Sequence, residues 1–332
     1  MPTRMEALLE VNDLSVQYSL PGGRQVPAVF KASFSLQPGE AVGLLGESGC
    51  GKTTTALAVT GLLPGNARLA AGSVRFRGHD LLSLSPAGFE KIRGAEISLI
   101  FQEPTLALNP VMRIGRQVAE VIRAHRPWGA DRCRAEAVRM LERVRLPDPP
   151  AIFSAYPHQL SGGQRRRVLI AQALSCGPAL VIADEPTNGL DSRTQAEILS
   201  LLVDLKNQFH TSFLFISHHP GILASLADRL LIMYAGCIVE EGDLGGVCRD
   251  PLHPYTRGLL DSMPRAPSGT SRAARQRLRP IEGSPPDMTD LPEGCSFAPR
   301  CPERMEICSR HGPRLLQTHP LRWVRCAKYE TE

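Results

Sequence analysis

Residues 46–53 read GESGCGKT, three glycines, a lysine and a threonine at a spacing suited to one kind of chemistry. Gly46, Gly49 and Gly51 let the backbone wrap closely enough to turn its N–H groups onto phosphate oxygens. A helix starting at Lys52 adds its positive end, with Lys52 reaching the β- and γ-phosphates and Thr53 offering a hydroxyl to Mg²⁺. Glu47, Ser48, Cys50 and Thr54 complete the wrap. The runs EAVGLLG before it and GKTTTALAVTGLL within and after it supply the strand and helix that a phosphate loop requires, which an ordinary glycine turn with a chance lysine lacks. Residues 179–186, ALVIADEP, are a second element: an apolar run delivering Asp184 and Glu185 at its end. Asp184 would hold Mg²⁺ through water, and Glu185 would polarise an attacking water. Two acids at a strand end can simply be exposed, but the phosphate loop elsewhere in the chain argues for cleavage of a nucleoside triphosphate.

These groups need a frame. Apolar runs and turn signals alternate in a βα rhythm from about residue 7 to 240. ALLEVNDLSVQY and VPAVFKASFSL read as strands of an opening β-rich layer, and GSVRFRG, ISLIFQ, ALVIADEP and TSFLFISHH as further strands. RTQAEILSLLVDLKNQF reads as a helix, and residues 113–146 carry helical spacing with many charges. The pattern predicts an α/β fold, a parallel sheet flanked by helices with function at the carboxyl ends of its strands. After about residue 250 the rhythm breaks, and RAPSGTSRAARQRLRPIEGSPP reads as a linker before a cysteine-containing tail.

Composition narrows the setting. The chain has 332 residues, 42% of them hydrophobic, enough for one large domain with an appendage. The N-terminal stretch lacks the long apolar core of a signal peptide, and no run approaches the roughly 18 apolar residues of a membrane span. The nine cysteines are odd in number and too scattered for a secreted disulfide framework, so a reducing, cytosolic setting is expected. The net charge of +5 is mild, and residues 261–332 hold 12 Lys/Arg against 9 Asp/Glu without a dense basic block or aromatic platform. That reads as a solvated linker rather than a nucleic-acid surface.

Residues 160–167, LSGGQRRR, lie between the two chemical elements. Taken alone they make a weak signal, since a serine before a helix can cap it. In this order with the phosphate loop and ADE, the chain resembles the ATP-binding subunits of ABC transporters. Gln102 in IFQEP, Asp191 in NGLD and His218 in FISHH match that family's remaining loops, and Tyr18 matches the aromatic that stacks on adenine. The resemblance implies an ABC-type ATPase fold with a helical insert at about 103–165. It also implies a head-to-tail dimer with two ATPs between the subunits. Lys52, Thr53, Gln102, Asp184, Glu185 and His218 would serve the chain's own site, with Thr53, Gln102 and Asp184 on Mg²⁺. Ser161, Gly162, Gly163 and Gln164, with Asp191 nearby, would serve the partner's. Cys50, Gly189 and His219 depart from the usual residues but remove no catalytic group, so an active ATPase is expected.

RGAEISLIFQEPTLALNP, ADRLLIMYAGCIVEEG, HPYTRGLLDSMPR and GCSFAPRC resemble one branch, the ATP-binding subunits of oligopeptide and dipeptide importers. That implies a nucleotide-binding domain at 7–250 and an extension at 251–332. The implied partners are a second, related ATPase chain, two transmembrane permeases and an extracytoplasmic substrate-binding protein, with this chain peripheral on the cytoplasmic side of the membrane. Import of nickel or another solute, and a soluble ABC ATPase outside transport, are the alternatives. A single phosphate loop and a short insert argue against the second. Cys295, Cys301, Cys308 and Cys326 are spaced x5, x6 and x17, with no close C-x2–4-C pair of the structural zinc type. Spacing leaves a cluster, zinc and free thiols open. The resemblance points to a four-iron four-sulfur cluster, because some members hold one at matching positions.

Overall fold

The computed structural model describes residues 7–263 and 280–330. RAPSGTSRAARQRLRPIEGSPP therefore lies largely outside the described residues.

Two sheets form the frame. Strands β1 (Leu9–Ser19), β2 (Gln25–Leu36), β4 (Ala67–Phe76) and β5 (His79–Asp80) make an antiparallel sheet in the order β2-β1-β4-β5. The larger sheet contains β3 (Ala41–Leu45), β6 (Ile97–Ile100), β7 (Leu180–Asp184), β8 (Ser212–Ser217), β9 (Arg229–Tyr234) and β10 (Cys237–Asp243), continued by β11 (Leu316–His319) and β12 (Arg322–Val324). Its order is β11-β12-β10-β9-β3-β8-β7-β6, with β9, β3, β8, β7 and β6 parallel. The central strands AVGLL, LVIAD and SFLFIS are buried along their whole length, as expected where a parallel sheet is covered on both faces.

Alternation along those strands builds two cores. Val42, Leu44, Leu214 and Ile216 face the antiparallel sheet, packing with Leu9, Val11, Leu36 and Phe76. Ala41, Leu45, Phe213 and Phe215 face the other way, onto the helical insert and the flanking helices. In the insert, the helix Ala130–Arg143 buries Cys133, Ala137, Met140 and Leu141, one stripe at i, i+4, i+7 and i+8. Its neighbour Ile114–His125 buries Gly115, where an added Cβ would lie 2.0 Å from the Phe153 ring.

The C-terminal extension is stitched into the larger sheet. Glu240 of β10 pairs in register with Val324 of β12. The fully buried Glu240 carboxylate accepts bonds from the N–H groups of Leu252 and His253 and from Arg322 at 2.8 Å. His253 is itself buried, and its Nδ1 accepts the Tyr255 N–H at 3.0 Å. Burial pulls its pKa down to about 3, with the Arg325 backbone and Glu303 opposing more weakly. The unfolded chain therefore takes up a proton below about pH 6.5 that the folded one refuses until about pH 3. Stability is expected to fall with acidification across that window, by up to about 1.4 kcal/mol per pH unit from this group, and to be unaffected above it. Denaturant midpoints at pH 5 and pH 7 check this: the drop in wild type should shrink in His253→Gln.

Candidate functional site

The phosphate-loop residues connect β3 to the helix Lys52–Val59. Gly51 sits at φ 109°, and a Cβ there would lie 2.3 Å from the Ala28 carbonyl, so only glycine fits. Gly51 brings no side-chain cap, which leaves the first N–H groups of the helix free for an anion. Lys52 is buried, its Nζ donating to the carbonyls of Gly46 at 2.8 Å and Glu47 at 2.9 Å. The cation is thus fixed inside the wrap. The Tyr18 hydroxyl lies 3.3 Å from Thr54 Oγ1, which sets the end of β1 against the loop helix.

Register brings the acids to the same place. β7 runs beside β8, with Asp184 opposite Ile216, and β6 runs beside β7, with Ile100 opposite Ala183. The residues just past these three strands, Gln102, Glu185 and His218, are therefore gathered at one carboxyl edge. Thr53 Oγ1 donates to Asp184 Oδ2 at 2.7 Å. Asp184 Oδ1 is buried without a hydrogen-bond partner. A lone carboxylate oxygen beside a threonine hydroxyl fits Mg²⁺ and its waters. Burial pushes the Asp184 carboxyl above its usual range, Glu185 adding to the shift while the Thr53 bond and Lys52 oppose it.

Glu185 stands at φ 48°, a left-handed conformation that costs a bulky residue about 1–3 kcal/mol. Its N–H donates to the Ile216 carbonyl at 3.0 Å, and its Oε1 lies 2.6 Å from His218 Nδ1. With a carboxylate oxygen as acceptor, the His218 Nδ1–H is the donor of that bond. His219, the neighbouring histidine, instead occupies the N-cap position of the short helix Pro220–Ala224, with no capping bond from its ring. His218 is the one that reaches the acid. The arrangement can hold a triphosphate, seat a divalent cation and draw a proton from a water.

Similarity to known proteins agrees with this chemistry. Residues 29–188 match the family model described as ABC transporter, and residues 239–308 match oligopeptide/dipeptide transporter, C-terminal region. The oligopeptide transport ATP-binding protein OppD of Escherichia coli (strain K12) is 44% identical over 97% of this chain and 94% of its own. The chain belongs to the ABC transporter ATP-binding proteins. The oligopeptide transport ATP-binding protein AppD of Bacillus subtilis (strain 168) is also 44% identical, over 99% of this chain and 98% of its own. The dipeptide transport ATP-binding protein DppD of the same strain is 43% identical over 93% and 91%. Among solved structures, the ATP-binding cassette MJ0796, a dimer in a post-hydrolysis state bound to ADP and Pi, has a TM-score of 0.64 and 25% identity, covering 71% of this chain and 98% of that one. CbiO1 from Clostridium perfringens, part of an ABC transporter complex, has a TM-score of 0.62 and 26% identity, covering 74% and 92%. This chain is an ABC-type ATP hydrolase, and among its described residues no helix is long and apolar enough to cross a membrane.

The remaining expected residues of this ABC ATPase do structural work visible within one chain. Ser161 Oγ accepts the Gln164 N–H at 3.2 Å and Gln164 Oε1 accepts the Ser161 N–H at 2.9 Å, a capping box on the helix Gly162–Leu174. Ser161 and Gly162 are exposed, and Gly163 and Gln164 half-buried, at that helix start. Asp191 caps the helix Ser192–Phe209, accepting from Thr194 at 3.0 Å and Arg193 at 3.1 Å, and those bonds pull its pKa down.

Sequence reasoning missed Arg166. It is 1% exposed and donates to the carbonyls of Phe101 at 2.9 Å, Gln102 at 2.8 Å and Asn188 at 3.3 Å. One side chain thus pins the segment bearing Gln102 to the turn before Asp191. No clean signal existed: Arg166 precedes Leu169, Ile170 and Ala173 at helical spacing, but Arg167 precedes Ile170, Ala171 and Leu174 in the same way.

The four tail cysteines lie near one another. Cys295 donates its N–H to the Cys308 carbonyl at 2.8 Å, and charge on Cys301 or Cys326 is felt at Cys295 and Cys308. Burial pushes the Cys295 and Cys326 thiols up, and the Cys301 thiol to about 11. Among the described residues, however, no group of three or more His, Cys, Asp or Glu is arranged to hold a metal ion. The expectation of a ready-made cluster site is not met. Cys308 and Cys295 pack in a small nest with Ala298 and Ala327.

Proposed function

We propose that this ATPase powers import of oligopeptides or dipeptides through a membrane permease. The observation that supports the cargo is the match of residues 239–308 to the oligopeptide/dipeptide transporter C-terminal region, together with 44% identity to oligopeptide transport ATP-binding proteins along nearly the whole chain. In this reading the partners are a second, related ATPase chain, two transmembrane permeases and an extracytoplasmic substrate-binding protein. The chain sits on the cytoplasmic side of the membrane. We divide it into a nucleotide-binding domain at 7–250, with the helical insert at about 103–165, and an extension at 251–332.

Lys52 and the free N–H groups of the phosphate loop and of the first turn of its helix bind the phosphates, and Tyr18 supports the adenine. Thr53, Asp184 and Gln102 would hold Mg²⁺, which when bound neutralises phosphate charge. Glu185 takes the proton of the attacking water, and His218 keeps that carboxylate turned inward. Ser161, Gly162, Gly163 and Gln164 would face the partner's ATP, with the Gly162 and Gly163 N–H groups left free by the capping box, so nucleotide bridges the two chains until hydrolysis releases it.

A four-iron four-sulfur cluster on Cys295, Cys301, Cys308 and Cys326 belongs to the same proposal. An all-thiol donor set suits it, but the thiols must draw closer and lose their protons to bind. Iron, sulfide and absorbance of chain purified without oxygen test that part by themselves.

Uptake into vesicles carrying the full transporter tests the cargo. ATP-dependent accumulation of labelled peptide, unaffected by excess nickel, is the expected result. Nickel uptake that peptides fail to compete away would overturn it.

A further inference from the structure

The phosphate loop is gripped from behind by residues that follow it by more than two hundred positions. Arg300 Nη1 lies 2.7 Å from Glu47 Oε2 and Nη2 lies 3.0 Å from Oε1, a two-pronged bond between the extension and the second residue of the loop. The Arg300 side chain is 6% exposed and that of Glu47 23%. Two more guanidinium donors are engaged: Nε donates to the Glu282 carbonyl at 3.0 Å, and Nη1 reaches the Tyr234 hydroxyl at 3.3 Å. The backbone of Glu47 is held as well, its N–H donating to the Tyr255 hydroxyl at 3.0 Å.

Behind Arg300 the support is rigid. The short turn Ala298–Arg300 begins where the Ala298 N–H bonds the Cys295 carbonyl at 2.9 Å. The buried Phe297 ring packs within 5.2 Å of Tyr234 and 5.4 Å of Tyr255. Arg300 stands between two of the tail cysteines in sequence, Cys295 and Cys301. In front of it, the Glu47 carbonyl is one of the two that seat Lys52 Nζ. A continuous run of bonds therefore joins the cysteine nest to the phosphate-binding lysine.

We infer that Arg300 is a positioning residue for the phosphate loop: through Glu47, the C-terminal extension sets how tightly this ATPase holds nucleotide. The inference rests on reading residues 46–53 as the ATP cradle. Two effects act together. Glu47 puts a carboxylate in a loop that must receive a polyanion, and Arg300 cancels that charge where solvent screens it poorly. The fork also fixes the backbone that carries the N–H donors, so less order is lost when phosphate binds. A bidentate contact in this geometry calls for arginine, since a lysine ammonium supplies charge without the planar fork.

The test is ATP affinity of the full chain, by calorimetry in a Glu185→Gln background that suppresses turnover, together with KM and kcat in the otherwise wild-type chain. Arg300→Gln is expected to weaken ATP binding about tenfold, within the range of coupling between linked sites. KM should rise while kcat changes little, because Glu185 and His218 are untouched. Arg300→Lys should fall between the two. Adding Glu47→Gln to Arg300→Gln should recover part of the loss, since it removes the carboxylate that Arg300 no longer cancels while the fork stays broken. Arg257→Gln, which breaks the Arg257–Glu303 pair inside the extension, should leave ATP affinity as it was. Wild-type affinity in folded Arg300→Gln, simple additivity in the double variant, or an equal loss in Arg257→Gln would each overturn the assignment. Failure of the unaltered chain to bind ATP would instead remove the reading of the loop itself.

Discussion

Replacing Glu185 by Gln is expected to leave ATP binding intact and to slow hydrolysis by about a hundred- to ten-thousand-fold, the range contributed by a positioned general base. The substitution keeps the size of the side chain and both of its hydrogen-bonding ends. It removes the one thing an amide cannot do, which is to take a proton. The backbone around position 185 should hold, because the left-handed turn is secured by the bond from its own N–H to Ile216. Lys52, Thr53 and Asp184, which would grip the phosphates and cation, are untouched. Single-turnover hydrolysis beside equilibrium ATP binding separates the two effects. Near-normal turnover would move the base elsewhere, and His218, 2.6 Å away, would be the first group to examine. A parallel loss of binding would show that Glu185 holds nucleotide rather than activates water.

Features set by neighbours in sequence were legible without a structure. The phosphate loop is such a case, since its glycines, lysine and threonine act within one turn of chain. The strands AVGLL, LVIAD and SFLFIS announced themselves as unbroken apolar runs, because a parallel sheet covered on both faces admits nothing else. The tail strands did not. LQTH and RWV are too short and mixed to show a period, and they are strands because β10 offers an edge to pair with. The site divides in the same way. Both acids were visible at the end of one apolar run, whereas the Thr53–Asp184 bond depends on register between strands that sequence does not specify. The cysteines mark the limit from the other side. Their spacing left the question open and family resemblance pointed to a cluster, while among the described residues the fold shows no formed ligand set. Arg300 was quoted within GCSFAPRC and passed over, since nothing local says that its partner lies in the phosphate loop.

Arg166→Met should be the most destabilising single change among the residues discussed, at about 1.5–3 kcal/mol, the loss of a buried guanidinium's bonds to three carbonyls. Methionine fills much of the same volume, so little of the loss would come from a cavity. The loss comes instead from what stays behind. The carbonyls of Phe101, Gln102 and Asn188 cannot leave with the guanidinium, and each loses a charged donor that it meets in a part-buried setting. The wild type already bears a strain here, since burial pulls the Arg166 pKa down and its Nε has no partner. Lysine at the position would keep the charge but cannot span three carbonyls, so it should recover less than half of the loss. Urea unfolding of the three proteins measures this directly, and a Met variant within about 1 kcal/mol of wild type would show the carbonyls finding water instead. Function should suffer beyond stability. The pinned segments carry Gln102 on one side and lead to Asp191 on the other, so freeing them loosens two of the loops that surround ATP. At a temperature where the Met variant remains folded, hydrolysis should still fall, and a folded variant with full activity would make Arg166 a purely structural residue.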